Sequence, residues 1–223
     1  MASTVGSRLA FEKAKRGIKQ AGFGLGTAVL SQSYLRSEHN LSTSKTLYQF
    51  PILVNDNSQG QNSNTSALLA LQDAFYVSHI GLFFAKPSSS TDTTFQLVTY
   101  PNASIFSTAN TASSLYSFYN GALSITVNNR QIVPSLDLYR FYSVPQQQTT
   151  LNADYTSSGI SYKDQQDGSN SALYPIEPGI VFSGSKQNIV SISIPASLAA
   201  IETHSRVVLY FSGHLAQNVT SVR

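Results

Sequence analysis

From Leu47 onward this chain is a series of short apolar, aromatic and β-branched runs, several with apolar residues at every second position, separated by polar turn-rich stretches, and that pattern constrains its fold more than any other feature. In Ile189–Ile194, Val190, Ile192 and Ile194 fall on one face and Ser191 and Ser193 on the other. The same reading marks Leu47–Val54, Phe75–Ala85, Phe95–Tyr100, Leu123–Val133, Leu138–Val144, Gly179–Phe182 and Val207–Leu215 as strands, with Leu123–Val133 bent at the turn residues Asn128–Asn129. Pro51 lacks a backbone donor, so it assigns its strand to an edge or a bulge. Between the strands lie loops rich in Asn, Ser, Gln, Pro and Gly, the longest being the polar excursion 146–171. Eight antiparallel strands with both short turns and long excursions predict an all-β Greek-key sandwich, specifically a single jelly roll, over residues 46–223.

Residues 1–45 read differently. Phe11, Ala14, Ile18, Leu25 and Val29 follow helical spacing and make one apolar stripe. This predicts a helix over 7–30, capped by Ser7, or a helix over 7–21 followed by an extended arm, since Gly17, Gly22, Gly24 and Gly26 each weaken a helix. Ser31–Ser44 reads as a polar linker. The segment carries seven basic and two acidic residues, a net +5, whereas the remaining residues carry seven basic and nine acidic, a net −2. A basic arm on a nearly neutral body points to a polyanion or an anionic surface. Lys13, Lys15, Arg16 and Lys19 are the candidate phosphate contacts, and Phe11, Ile18 and Leu25 the candidate packing stripe.

The body holds few charges for its size: charged residues make up 11% of the chain, against about 25% in an average globular protein. Neutral polar groups cost less to desolvate than ions, so such a surface suits burial against copies of itself. No local signature of catalysis accompanies it. Cysteine is absent, which removes disulfides, thiolate metal sites and a cysteine nucleophile. His39, His79, His204 and His214 show no metal-ligand spacing, and no Gly-x-Ser-x-Gly elbow occurs. Asp164–Asn170 misses the spacing of a calcium loop, and Gly22–Gly26 is no phosphate loop. The expectation is a non-enzymatic protein with no cofactor and no metal. No secretory leader and no apolar run of membrane-spanning length is visible.

The whole pattern resembles jelly-roll capsid proteins of icosahedral tailless phages and viruses. The segments Gln72–Lys86 and Ile132–Gln146 carry the resemblance by their texture and not by a defined motif. It implies a structural virion protein, made in the host cytoplasm, that self-assembles into a capsomer or lattice with its arm directed inward. Its partners would be copies of itself, other virion proteins, and genome nucleic acid or an internal membrane met through the arm. The competing class is a carbohydrate-binding or adhesion module, in which Tyr116, Tyr119, Tyr155, Tyr162 and Tyr174 would stack on sugars.

Overall fold

The computed structural model describes residues 3–54, 68–92, 95–101, 105–106, 111–143, 147–149, 162–164 and 172–221. It is an all-β domain of two packed antiparallel sheets with an N-terminal helix. The sandwich strands are β1 (Val29–Asn40), β2 (Leu47–Val54), β3 (Ala74–Ala85), β4 (Ala122–Val127), β5 (Arg130–Asp137), β6 (Tyr174–Ser183), β7 (Asn188–Ser193) and β8 (Arg206–Gln217). One sheet runs β6–β3–β8–β1 and the other β2–β7–β4–β5, all neighbours antiparallel. Leu97–Val98 extends the first sheet beside the end of β3, and Leu68–Leu69 adds a short parallel pairing to the second beside β2. The chain changes sheet at every connection between these strands except β4 to β5.

The core lies between the sheets because alternate residues of facing strands are apolar. Tyr48, Phe50 and Ile52 of β2, Leu123 and Ile125 of β4, and Val190 and Ile192 of β7 meet Leu82 and Phe84 of β3, Phe182 of β6, and Val207, Leu209 and Phe211 of β8. Strand β3 uses both its faces. Phe75 and Val77 enter the sandwich core, while Ala74 and Tyr76 turn to the opposite side and join a second, smaller cluster. Opposite Ser212–Gly213 the register slips by one residue at Ser78. This bulge flips the alternation, so that Ile80, Leu82 and Phe84 continue the core. A Cβ on Gly213 would run into the backbone carbonyl of Tyr76, so the close approach needs glycine there.

Helix α1 (Ser3–Gln20) closes the second cluster. Ala14 and Ile18 are fully buried against Ala74, Tyr76 and Ala216 on the outer surface of the first sheet. Gly22 ends the helix with φ of 89°, a left-handed conformation that glycine adopts without strain. The chain then pairs Phe23–Gly24 with Thr220–Ser221, tying the arm to the C-terminal strand.

Several sequence expectations are corrected here. The helix starts at Ser3, so Ser7 lies within it and not at its N-cap. Of the two expected extents, the shorter helix with an extended continuation is the one formed. The stretch expected as a polar linker, Ser31–Ser44, is largely the edge strand β1, paired residue for residue with β8. Its sequence hides this because an edge strand buries little; of β1, Leu35 and Ser37 are buried as whole residues and Glu38 encloses its side chain. The turn expected at Asn128–Asn129 is present: with φ of 52° and 61° the two residues make a hairpin, so Leu123–Val133 counts as parts of two strands, β4 and β5, and not as one bent strand. Leu138–Val144 is not a strand: Leu138–Phe141 is a 3-10 turn. Leu138 and Phe141 are buried at a spacing of three, whereas a strand would have put Arg140 on the same face as Leu138. Phe95–Tyr100 shrinks to Leu97–Val98, because Phe95 instead covers the guanidinium groups of Arg36 and Arg206 at 5.4 and 5.5 Å. One helix was not anticipated, α2 (Thr111–Phe118).

Beneath Phe95 the Glu38 carboxylate is held between Arg36 at 2.6 Å and Arg206 at 3.3 Å, and Arg206 also donates to the Ser90 carbonyl at 2.7 Å. This buried group fastens the connection after β3 to the outer surface of the first sheet. Lys86 pairs with the nearly buried Glu202 nearby. The helix and this connection cover opposite ends of that surface.

Candidate functional sites: the basic helix and a tyrosine-lined cleft

The residues expected to act in the arm lie on or just after α1, and the structure separates them by face. Of the stripe, Ile18 is fully buried, Leu25 packs at the edge of the small cluster, and Phe11 meets His214 of β8 edge-on at 6.2 Å. The apolar partner of the stripe is therefore the chain's own sheet. Two glycines permit the close approach: Gly17 of α1 and Gly179 of β6 both lie against the ring of Tyr76. His214 is half-buried by this packing, and its Nδ1 has no hydrogen-bond partner. Burial lowers the pKa of its imidazole, favouring the neutral ring.

The four basic residues divide into two kinds. Lys13 pairs with Glu177 of β6 at 2.6 Å, which raises the lysine pKa and lowers that of the carboxyl, mainly through their hydrogen bond. Lys15 lies 3.5 Å from Glu12 and 4.6 Å from the centre of the Phe11 ring. Arg16 and Lys19 are exposed, as is Arg8. The outward face of the helix is basic, and Lys19 in its last turn also suits the negative end of the helix dipole.

A second site lies at the end of the sandwich where α2 meets the turn after β5. Helix α2 forms because Thr111, Ser114, Leu115 and Phe118 recur at helical spacing and are all buried. Two of these four are polar, so hydropathy alone misses the helix; the spacing of Leu115 and Phe118 was the available signal. The burial of that face leaves Tyr116 exposed on the other. The turn Leu138–Phe141 is capped by Asp137, whose side chain accepts from the Tyr139 N–H at 3.0 Å. Burying Leu138 and Phe141 drives Tyr139 outward, where it is 64% exposed.

The two elements bring four tyrosines together. Tyr142 stacks on Tyr139 at 5.7 Å with an interplanar angle of 8°, meets Tyr119 edge-on at 5.2 Å, and lies tilted 6.0 Å from Tyr116. Tyr119 is anchored by donating to the Thr99 carbonyl at 2.6 Å, and burial pushes its pKa far up. Interaction with the neighbouring Tyr116 hydroxyl raises the pKa of Tyr142. Two clefts open around this cluster. One, of about 410 Å³, is lined by Tyr116, Ser117, Tyr119, Asn120, Tyr139 and Tyr142. The other, of about 640 Å³, shares Tyr119, Asn120 and Tyr139 and adds Gly121, Ala122, Ser135 and Asp137.

Of the tyrosines expected to stack on sugars, Tyr116 and Tyr119 are in this cluster. Tyr174 is elsewhere, accepting from Arg140 at 2.8 Å. Tyr155 and the side chain of Tyr162 lie outside the described residues, as does most of Asp164–Asn170. Tyr139 and Tyr142 were missed because Leu138–Val144 read as a strand. Among the described residues no group of three or more His, Cys, Asp or Glu side chains is arranged to hold a metal ion, and no helix is long and apolar enough to cross a membrane. In sequence comparisons, no protein-family model and no curated protein matches the chain.

Proposed function

We propose that this chain is a structural, non-catalytic subunit of an icosahedral virion shell, a capsid protein that assembles through its sandwich with the helix-bearing surface turned inward. The observation that carries this reading is the second sheet. Strands β2, β7 and β4 contain no charged residue, and in their outward row Gln49 and Ser193 are exposed while Pro51, Ala122, Ser124, Thr126, Ile189 and Ser191 are half-buried. Such a surface loses little on desolvation and suits contact with another copy. Leu47 of β2 and Ile132 of β5 add exposed apolar side chains on the same sheet. The interleaved orders β6–β3–β8–β1 and β2–β7–β4–β5 support a jelly roll, the architecture of many shell-forming domains.

On this reading the opposite surface, capped by α1, faces the interior and presents Arg8, Arg16 and Lys19 to genome or lipid phosphates. Sedimentation velocity over a wide concentration range tests assembly. Rings or larger closed species built from the 24.1 kDa chain are expected, and a monomer at every concentration and salt overturns the proposal. Removing residues 1–20 leaves all sandwich strands in place, so such a chain should fold yet assemble poorly.

A further inference from the structure

We infer that the tyrosine-lined clefts form a binding site for a neutral oligosaccharide, with Tyr139 as the platform between two sugar units. Three features specify this class of ligand. The lining offers flat aromatic surface, and Tyr139 and Tyr116 are 64% and 49% exposed; the faces of such rings pack against the C–H faces of a pyranose while their hydroxyl ends stay wet. Next, the polar groups around them are a neutral amide and hydroxyls, Asn120, Ser117 and Ser135, with one carboxylate, Asp137. These donate to and accept from sugar hydroxyls. Among the described residues no Lys or Arg lines either cleft, and the Asp137 carboxylate there repels a phosphate, sulfate or uronate. Finally, the two clefts, of about 410 and 640 Å³, are shallow and open to solvent, as a chain of sugars lying along the surface requires, and both are walled by Tyr119, Asn120 and Tyr139. A chain of two to four sugars can therefore occupy both by crossing Tyr139.

The platform is held before any ligand arrives. Asp137 caps the turn that carries Tyr139, Tyr142 backs its ring, and Tyr142 is itself fixed by Tyr116 and Tyr119. Little side-chain freedom remains to be lost on binding, which lowers its cost. The site needs one copy of the chain and does not depend on the shell reading.

The test is saturation-transfer NMR and titration of the full chain with neutral tetrasaccharides of glucose, galactose, mannose and N-acetylglucosamine, with a sulfated tetrasaccharide as the anionic comparison. At least one neutral sugar should bind, with the sulfated one weaker. Tyr139→Ala should weaken that binding tenfold or more, while Tyr139→Phe, which keeps the ring, should stay within about threefold, a difference of under about 0.7 kcal/mol. Because Tyr139 is exposed, unchanged circular dichroism of both variants confirms that the fold is intact. Failure of every neutral sugar to bind, preference for the sulfated one, or binding untouched by Tyr139→Ala overturns the inference.

Discussion

Gly17→Ala separates two physical effects of opposite sign. In an exposed helix the change stabilises by about 1 kcal/mol, because alanine has the higher helix propensity. Here the added Cβ would lie 2.5 and 2.8 Å from Cε2 and Cδ2 of Tyr76, where ordinary carbon contacts are about 3.5–4.0 Å. The helix or the ring must move by about 1 Å. The ring has no room to retreat, because Gly179 lies against it as well. Overpacking of this kind costs about 1–3 kcal/mol, so the packing loss exceeds the propensity gain by about 1 kcal/mol. That is about a fivefold shift towards the undocked helix at 25 °C. Amide hydrogen exchange across α1 reads it directly: exchange should rise about fivefold in α1 while β3 and β8 stay protected. Gly26→Ala is the internal control, because a Cβ there meets nothing within 4 Å. Slower exchange in Gly17→Ala, or a raised melting temperature, would refute the docking argument.

Other outcomes follow from the same contacts. Glu38→Gln leaves Arg36 and Arg206 without their counterion in a buried setting, and should cost about 3–5 kcal/mol in denaturant unfolding. His214 has its pKa lowered by burial, so its contribution is fully present above the unfolded value of about 6.5 and is lost as pH falls through the lower folded value. Protection of the α1 amides, taken relative to their intrinsic exchange rate at each pH, should therefore fall on acidification below about pH 6.5, and His214→Gln should flatten that dependence. Among the arm cations, Arg16→Gln with Lys19→Gln should weaken binding to anionic vesicles or DNA more than Lys13→Gln with Lys15→Gln, since the latter two already face carboxylates. The salt slope on duplex DNA should fall by about 0.9 for each phosphate contact removed; equal losses from both pairs would contradict the division.

The sequence showed the sandwich wherever a strand buries one full face. Tyr48, Phe50 and Ile52, Val190 and Ile192, and Val207, Leu209 and Phe211 alternate because both sheets need them inside. Pro51 also read correctly: β2 has one full-length neighbour, β7, and only Leu53–Val54 pairs on its other side. Legibility failed where burial and period part company. Strand β1 is an edge with polar residues, so it looked like a linker. The turn at Leu138–Phe141 buries every third residue, a spacing that a two-residue alternation obscures in a seven-residue window. In the arm, the helical stripe was visible, but not that its partner is Tyr76 and its neighbours, because Tyr76 sits inside a run where both strand faces are apolar. The tyrosine cleft joins α2 to a turn about twenty residues later, a proximity that only the fold creates.

Electron microscopy of the purified full-length chain at high concentration tests the central claim most directly. The account predicts rings or closed shells whose subunits meet through the uncharged β2–β7–β4 sheet, and their disappearance when Ser124, Ser191 and Gln49 on that surface are changed together to Lys in a chain that still folds. Single particles of the bare 24.1 kDa chain at every concentration, or shells unaffected by the three lysines, would contradict it.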